Sequence, residues 1–380
     1  MDYPKRKLIM LPGPTNVPDR VTNAMIKPMI NHRGETFSRL LKDLTEKSKY
    51  LFQTSQETIV LSASGTGGVE AAVWNMIRPG DKAVVPVFGE FSERLAETVE
   101  LAGGTAIRIR SDLGSTPPLD RVKVELEHTP KPKALFLVHN ETSSGCAVQY
   151  LREVTKLARD AGAFVVVDAI SSLGGYAIPV DEWDIDICVT GSQKCLAAPP
   201  GLSLLSLSRR VVDYVKSNPP RTRYFDLARQ LDFLARGETP FTPAIPLYYA
   251  LDEALQMLVE EGLEKRVVRH ARMAARLYGA VSAMGLKPFA REEVRSNTVV
   301  AILYPEGVRD KEFRRTLSEE HDVVIAGGFG PMKEKLFRIG CMGEVSESHV
   351  ERTIAAIGMT LGKHGYKVDI SNFLTTSARG

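Results

Sequence analysis

Between about Thr58 and Leu205 the sequence alternates short, continuously apolar runs with helical ones, and this alternation restricts the fold more than any other feature. ETIVLSA reads as a strand and GTGGVEAAVWNMI as a helix; DKAVVPV is followed by the helical SERLAETVELAG, and KALFLVH by LREVTKLARDAG. AFVVVDA, DICVTGS and GLSLLSLS are further strands. Apolar runs without polar alternation belong to strands covered on both faces. Strand–helix–strand order at this spacing predicts a mostly parallel sheet in an α/β domain. Such sheets bind ligands beyond the carboxyl ends of their strands, so chemistry is expected in the residues just after each strand.

The chain has 380 residues, long enough for two cores. A long helical stretch, roughly Ala244 to Met284, suits a connector out of the large domain. SNTVVAILYP, the helical KEFRRTLSEEH, then DVVIAGG, KLFRIGCMG and a helix from Ser346 to Leu361 suggest a small α+β domain. The division expected is an N-terminal segment over 1–20, packing at the active site or a partner subunit, a large domain over 21–255 and a small one over 256–380. The net charge of +3 comes with no basic run and no basic–aromatic interleaving, which argues against nucleic acid. Cys146, Cys188, Cys195 and Cys341 are scattered without a CxxC pair, which argues against a metal site or disulfide framework and for a reducing, cytoplasmic setting. No segment has the length of a membrane span or the character of a signal peptide.

Several residues have a chemical reading beside a plain one. Asp168 ends the strand AFVVVD, where a carboxylate can hold a protonated heteroaromatic nitrogen or simply cap a turn. Lys194, in VTGSQKCLAAPPG, follows the strand DICVT; burial there would favour a neutral, nucleophilic amine, while taken alone it reads first as a surface lysine. Ser64, Gly65 and Thr66 lie in a glycine-rich turn between strand and helix, suited to a phosphate or to close packing. Arg338 in KLFRIG needs an anion among apolar neighbours, either a substrate carboxylate or a structural acid. Phe88 follows DKAVVPV and suits either stacking on a flat ring or core filling.

In combination, PGPTNVP, SASGTGGVEAA, HNETSSG, VVDAISSLGG, GSQKCLAAPPG and FRIG resemble the class V aminotransferases of fold type I, which use pyridoxal 5'-phosphate (PLP) and fold around a mostly parallel seven-stranded sheet with a smaller C-terminal domain. The match is nearest to the alanine–glyoxylate / serine–pyruvate aminotransferase group and runs from about Leu8 to Leu361. The resemblance implies that Lys194 anchors PLP and carries the proton, that Asp168 pairs with the pyridine nitrogen, and that Thr142 lies near the ring oxygen. It places Ser64, Gly65, Thr66 and Gln193 at the phosphate, Phe88 and Ile170 on the two ring faces, and Arg338 on the substrate α-carboxylate. Thr242 would reach the phosphate of the partner subunit in a homodimer, and Thr239 stands where the family often has a tyrosine.

The resemblance further implies ping-pong transfer between a small amino acid and a small keto acid. Gly13 and Asn16 of PGPTNVP would limit the room for a side chain, which suits alanine, serine and glyoxylate. Arg33 in NHRGETF offers a second anion contact, as an aspartate or 2-aminoethylphosphonate aminotransferase would need, unless an acid such as Glu35 occupies it. A ureidoglycine aminotransferase, a cysteine desulfurase using a thiol such as Cys341, and a binding protein on an inactive scaffold are the other readings.

Overall fold

The computed structural model describes residues 6–366 and 368. The fourteen strands among the described residues begin with β1 (Leu8–Ile9) and β2 (Glu57–Leu61), followed by β3 (Lys82–Val87), β4 (Thr105–Arg110) and β5 (Ala134–Val138). A small hairpin, β6 (Asn140–Glu141) and β7 (Cys146–Ala147), precedes β8 (Phe164–Asp168), β9 (Ile187–Gly191) and β10 (Ser203–Leu207). The last four are β11 (Val299–Leu303), β12 (Val323–Val324), β13 (Ala326–Gly327) and β14 (Leu336–Gly340).

Seven strands form one sheet in the order β2-β10-β9-β8-β5-β3-β4. Only β10 runs against its neighbours, so β2, β3, β5, β8 and β9 all end at the same edge. Val84, Leu135, Leu137, Val165 and Val167 face one apolar layer, while Ala83, Val85, Ala134, Phe136 and Val166 face the other. That is the period-two alternation of a pleated strand, with both faces apolar because helices cover both. Each valine, leucine or phenylalanine side chain so removed from water contributes about 1.5–3 kcal/mol.

A three-stranded antiparallel sheet, β11-β14-β13, carries a separate apolar layer together with the helices Leu263–Ala283, Asp310–Glu320 and Glu347–Lys363. The N-terminal segment joins this layer: β1 pairs in parallel with β12, and Leu8 and Met10 are buried in it.

Two sequence expectations change. The stretch Ala244–Met284 is two helices, Ile245–Glu261 and Leu263–Ala283, because Gly262 stands at φ 84° and turns the chain between them. The edge strand β4 escaped notice because its arginines interrupt the apolar pattern. Arg108 lies on that edge and pairs with Glu93 and Glu100, the kind of charge that keeps an edge from pairing with another chain.

Candidate active site

A cavity of ≈ 130 Å³ opens at the shared carboxyl edge of the sheet. Residues distant in sequence meet there because each follows a parallel strand: Gly65 and Thr66 after β2, Phe91 and Arg94 after β3, Asn140 and Thr142 after β5, Asp168, Ile170 and Ser171 at β8, Gln193 and Lys194 after β9.

Lys194 points back against the N-terminal segment. Its Nζ donates to the Pro12 carbonyl, and a Cβ at Gly13 would stand 2.6 Å from Cε and 2.7 Å from Nζ. Only glycine leaves the lysine this passage, and Gly13 also sits at φ 90°. The backbone around Lys194 is tied at several points. Thr15 N–H donates to the Gln193 carbonyl (3.2 Å), and the buried Arg266 donates to the Cys195 carbonyl (2.8 Å) while paired with Glu261 and Glu344. Burial pulls the Lys194 ammonium down to about 8 from its ordinary 10.5.

Asp168 accepts one hydrogen bond, from the Ile170 N–H at 2.9 Å, and its second oxygen has no partner among the described residues. Burial raises its carboxyl to about 6. An acid left in that condition gains from a cationic N–H donor, which a protonated pyridine supplies.

Ser64 caps the helix Gly65–Met76 without spending its hydroxyl on the cap. The first N–H groups of that helix face outward with the helix dipole behind them, a seat for a phosphate. A Cβ on Gly65 would meet Ile170 Cδ1 at 2.8 Å, so the turn and Ile170 form one close wall. Gln193 and Asn140 both line the cavity, and each has a buried amide oxygen without a partner. These orphaned polar atoms, the phosphate seat and the unpaired Asp168 oxygen fit a flat phosphorylated heteroaromatic aldehyde such as PLP.

Arg338, on β14, brings the second sheet to the same place. Its Nε donates to the Gly327 carbonyl (2.8 Å) and its Nη1 to the Thr142 carbonyl (2.9 Å). No carboxylate pairs with it among the described residues, so the structural ion pair considered from sequence is not what holds it. Burial lowers its pKa to about 10. A guanidinium has five N–H donors, and the three left over form the edge that a carboxylate takes in a bidentate grip.

Two sequence assignments shift, those of Phe88 and Asn16. Phe88 does not reach the cavity: it is buried in the apolar layer on the far side of the sheet, since it follows Val87 on the opposite face of the pleat. Phe91, one helical turn on, lines the cavity instead. Asn16 is engaged on its own segment, accepting from Ile9 N–H (3.1 Å) and donating one amide N–H to the Ile9 carbonyl (2.9 Å), so it shapes the turn. Arg33 pairs with Glu238 (2.6 Å) and donates to the Thr239 carbonyl (2.8 Å), leaving Glu35 to Arg39. Thr239 and Thr242 lie outside this chain's cavity: the Thr239 hydroxyl donates to the Phe241 carbonyl, and Thr242 is exposed.

Glu141 is the buried residue that sequence reasoning passed over, although it sits inside the HNETSSG motif. Its carboxylate accepts from the N–H groups of Phe91 (3.2 Å) and Ser92 (2.9 Å) at the start of the helix Glu90–Leu101, and from the N–H and hydroxyl of Ser143. It thereby fixes Phe91 and Thr142 against each other. The signal available was an acid in an apolar, strand-end motif, which requires partners.

A model of the aminotransferase class-V family matches residues 12–332. An uncharacterized aminotransferase of Methanocaldococcus jannaschii is 42% identical over 370 residues, spanning 96% of this chain and 94% of that protein. A serine–glyoxylate aminotransferase of Methylorubrum extorquens is 35% identical over 376 residues, spanning 96% and 93%. The crystal structure of a ureidoglycine–glyoxylate aminotransferase from Bacillus subtilis superposes with a TM-score of 0.94 at 29% identity, covering 100% of this chain and 98% of that one.

Proposed function

The chain belongs to the class V aminotransferases, with the α/β fold type I and PLP as cofactor, and on that premise we propose that it moves an amino group from alanine or serine to glyoxylate or pyruvate, donor and acceptor using the same cavity in turn. The observation that carries this reading is Arg338: a buried guanidinium with no acid of its own among the described residues, bonded to the carbonyl of Thr142, which lines the cavity with Lys194 and Asp168. When bound, PLP supplies the electron sink that makes an α-proton removable.

The residues then divide the work. Arg338 binds the α-carboxylate through its free donors. Asp168 holds a proton on the ring nitrogen through its unpaired oxygen. Lys194 holds and moves a proton at Nζ, and with its pKa near 8 it exchanges that proton close to neutral pH. Gly65, Thr66 and Gln193 orient the phosphate, Ile170 and Phe91 bound the flat ring, and Thr142 lies beside it. Gly13 and Pro12, pressed against Lys194, leave room for small side chains.

Thr242, exposed and outside this chain's cavity, supports a homodimer in which it serves the neighbouring site. The pairing of Arg33 with Glu238 disfavours a distal-anion role for Arg33 and with it an aspartate or phosphonate substrate. All four cysteines are free and buried, and burial pushes the Cys341 thiol far above its ordinary range, which disfavours desulfurase chemistry. The test is a half-reaction screen. Alanine and serine are expected to bleach the visible band of the PLP form, and glyoxylate or pyruvate to restore it. Bleaching by acidic amino acids alone would refute the substrate class, and a fully active monomer in sedimentation would refute the shared site.

A further inference from the structure

Arg338 has a face as well as an edge, and an aromatic ring covers it. Phe329 stands over the guanidinium at 4.4 Å from carbon to ring centroid and meets Phe91 edge-on, with centroids 6.2 Å apart at 82°. Phe329 is 44% exposed, so burial of its own surface is not what keeps it there. The segment that carries it is held at one side and packed at the other. Arg338 Nε holds the Gly327 carbonyl, and Gly330, at φ +46°, packs directly against the Glu90 carboxylate. Glu90 and Phe91 are adjacent at the start of one helix, so residues 327–330 reach from the small sheet to the helix that follows β3 and form a roof beside Phe91, which lines the cavity.

The roof does not compete with a carboxylate. A bidentate carboxylate lies in the plane of the guanidinium, whereas Phe329 occupies the face perpendicular to it. The ring therefore stays in place when the edge is filled, excludes water from that ion pair and forms the wall that the substrate's side chain meets. From this geometry, and resting on the aminotransferase reading above, we propose that Phe329 is a specificity-determining residue: it strengthens carboxylate binding at Arg338 and limits the amino donor to a small side chain.

The test compares the wild-type PLP-bound protein with F329A, F329L and G330A. The readouts are acetate binding, followed by perturbation of the visible band, and steady-state kinetics with alanine and leucine. F329A is expected to weaken acetate several-fold, because water then reaches the Arg338 ion pair that the ring had covered, to raise KM for alanine by a similar factor with kcat within about twofold, and to narrow the alanine-over-leucine preference by a similar factor. G330A, which keeps the ring and meets only the movable end of the Glu90 side chain, is expected to stay near wild type, and F329L to restore part of the selectivity but not the acetate affinity. Unchanged acetate affinity and unchanged selectivity in F329A, with wild-type protein active, would overturn this inference alone. A wild-type chain that takes up no PLP would overturn the functional reading and this inference together.

Discussion

Replacing Lys194 by methionine is expected to make the cofactor-free protein more stable near neutral pH. The amine sits against Pro12 and Gly13 in a pocket that lowers its pKa from 10.5 to about 8. At ~1.36 kcal/mol per pKa unit the gap corresponds to about 3 kcal/mol. The substitution also removes the hydrogen bond to the Pro12 carbonyl, which contributes about 1 kcal/mol. The net gain is about 2 kcal/mol, since methionine has nearly the length of lysine and adapts to an irregular space. The sign follows from proton linkage. The unfolded chain keeps the proton up to about 10.5 and the folded chain only to about 8, so the penalty is complete below pH 8 and disappears as pH rises past 10.5. Urea unfolding of the two cofactor-free proteins at pH 7 and again above pH 10.5 measures both parts. Equal stability at pH 7, or a difference that persists unchanged at the higher pH, would refute the argument that burial of this amine is paid in stability and returned as reactivity.

Other perturbations separate the roles of neighbouring residues. Phe91→Ala is expected to weaken PLP binding about five- to tenfold, the loss of one stacking contact, with little change in stability; Phe88→Ala is expected to cost about 3–5 kcal/mol of stability and to leave cofactor affinity in the folded protein nearly unchanged. Fluorescence titration and denaturation distinguish the two, and the opposite pattern would restore Phe88 as the stacking residue. PLP capture should weaken as pH falls through about 8, where Lys194 takes up a proton, and break again near 6, where Asp168 does; Asp168→Asn should abolish the lower break and spare the upper one. Arg33→Ala should change stability by no more than about 1 kcal/mol, because its pair with Glu238 is partly exposed, and should leave the ratio of alanine to aspartate activity unchanged. A selective loss of aspartate turnover would show that Arg33 reaches the substrate.

The strands after Thr58 were legible because burial on both faces writes itself as unbroken apolar runs, and Gly65, Asp168 and Lys194 were legible because each stands just after such a run. β4 was not, since an edge strand carries arginines, nor was the break at Gly262, which looks like one glycine inside a helical pattern. Phe88 and Phe91 illustrate the sharper limit. Both are aromatic and near a strand end, and the choice between them depends on which face of the sheet each residue leaves the strand on and on the helix start that Glu141 fixes from another strand.

Local chemistry is a property of residue type and order, so the sequence by itself determined the mostly parallel α/β sheet and the strand-end positions of the lysine, the aspartate and the glycine-rich turn. Whether a charge is free is a property of everything around it, and only the tertiary structure decided that. It gave Glu238 to Arg33, Ile9 to Asn16 and, among the described residues, backbone carbonyls rather than an acid to Arg338, because those partners come from segments the chain brings together only on folding.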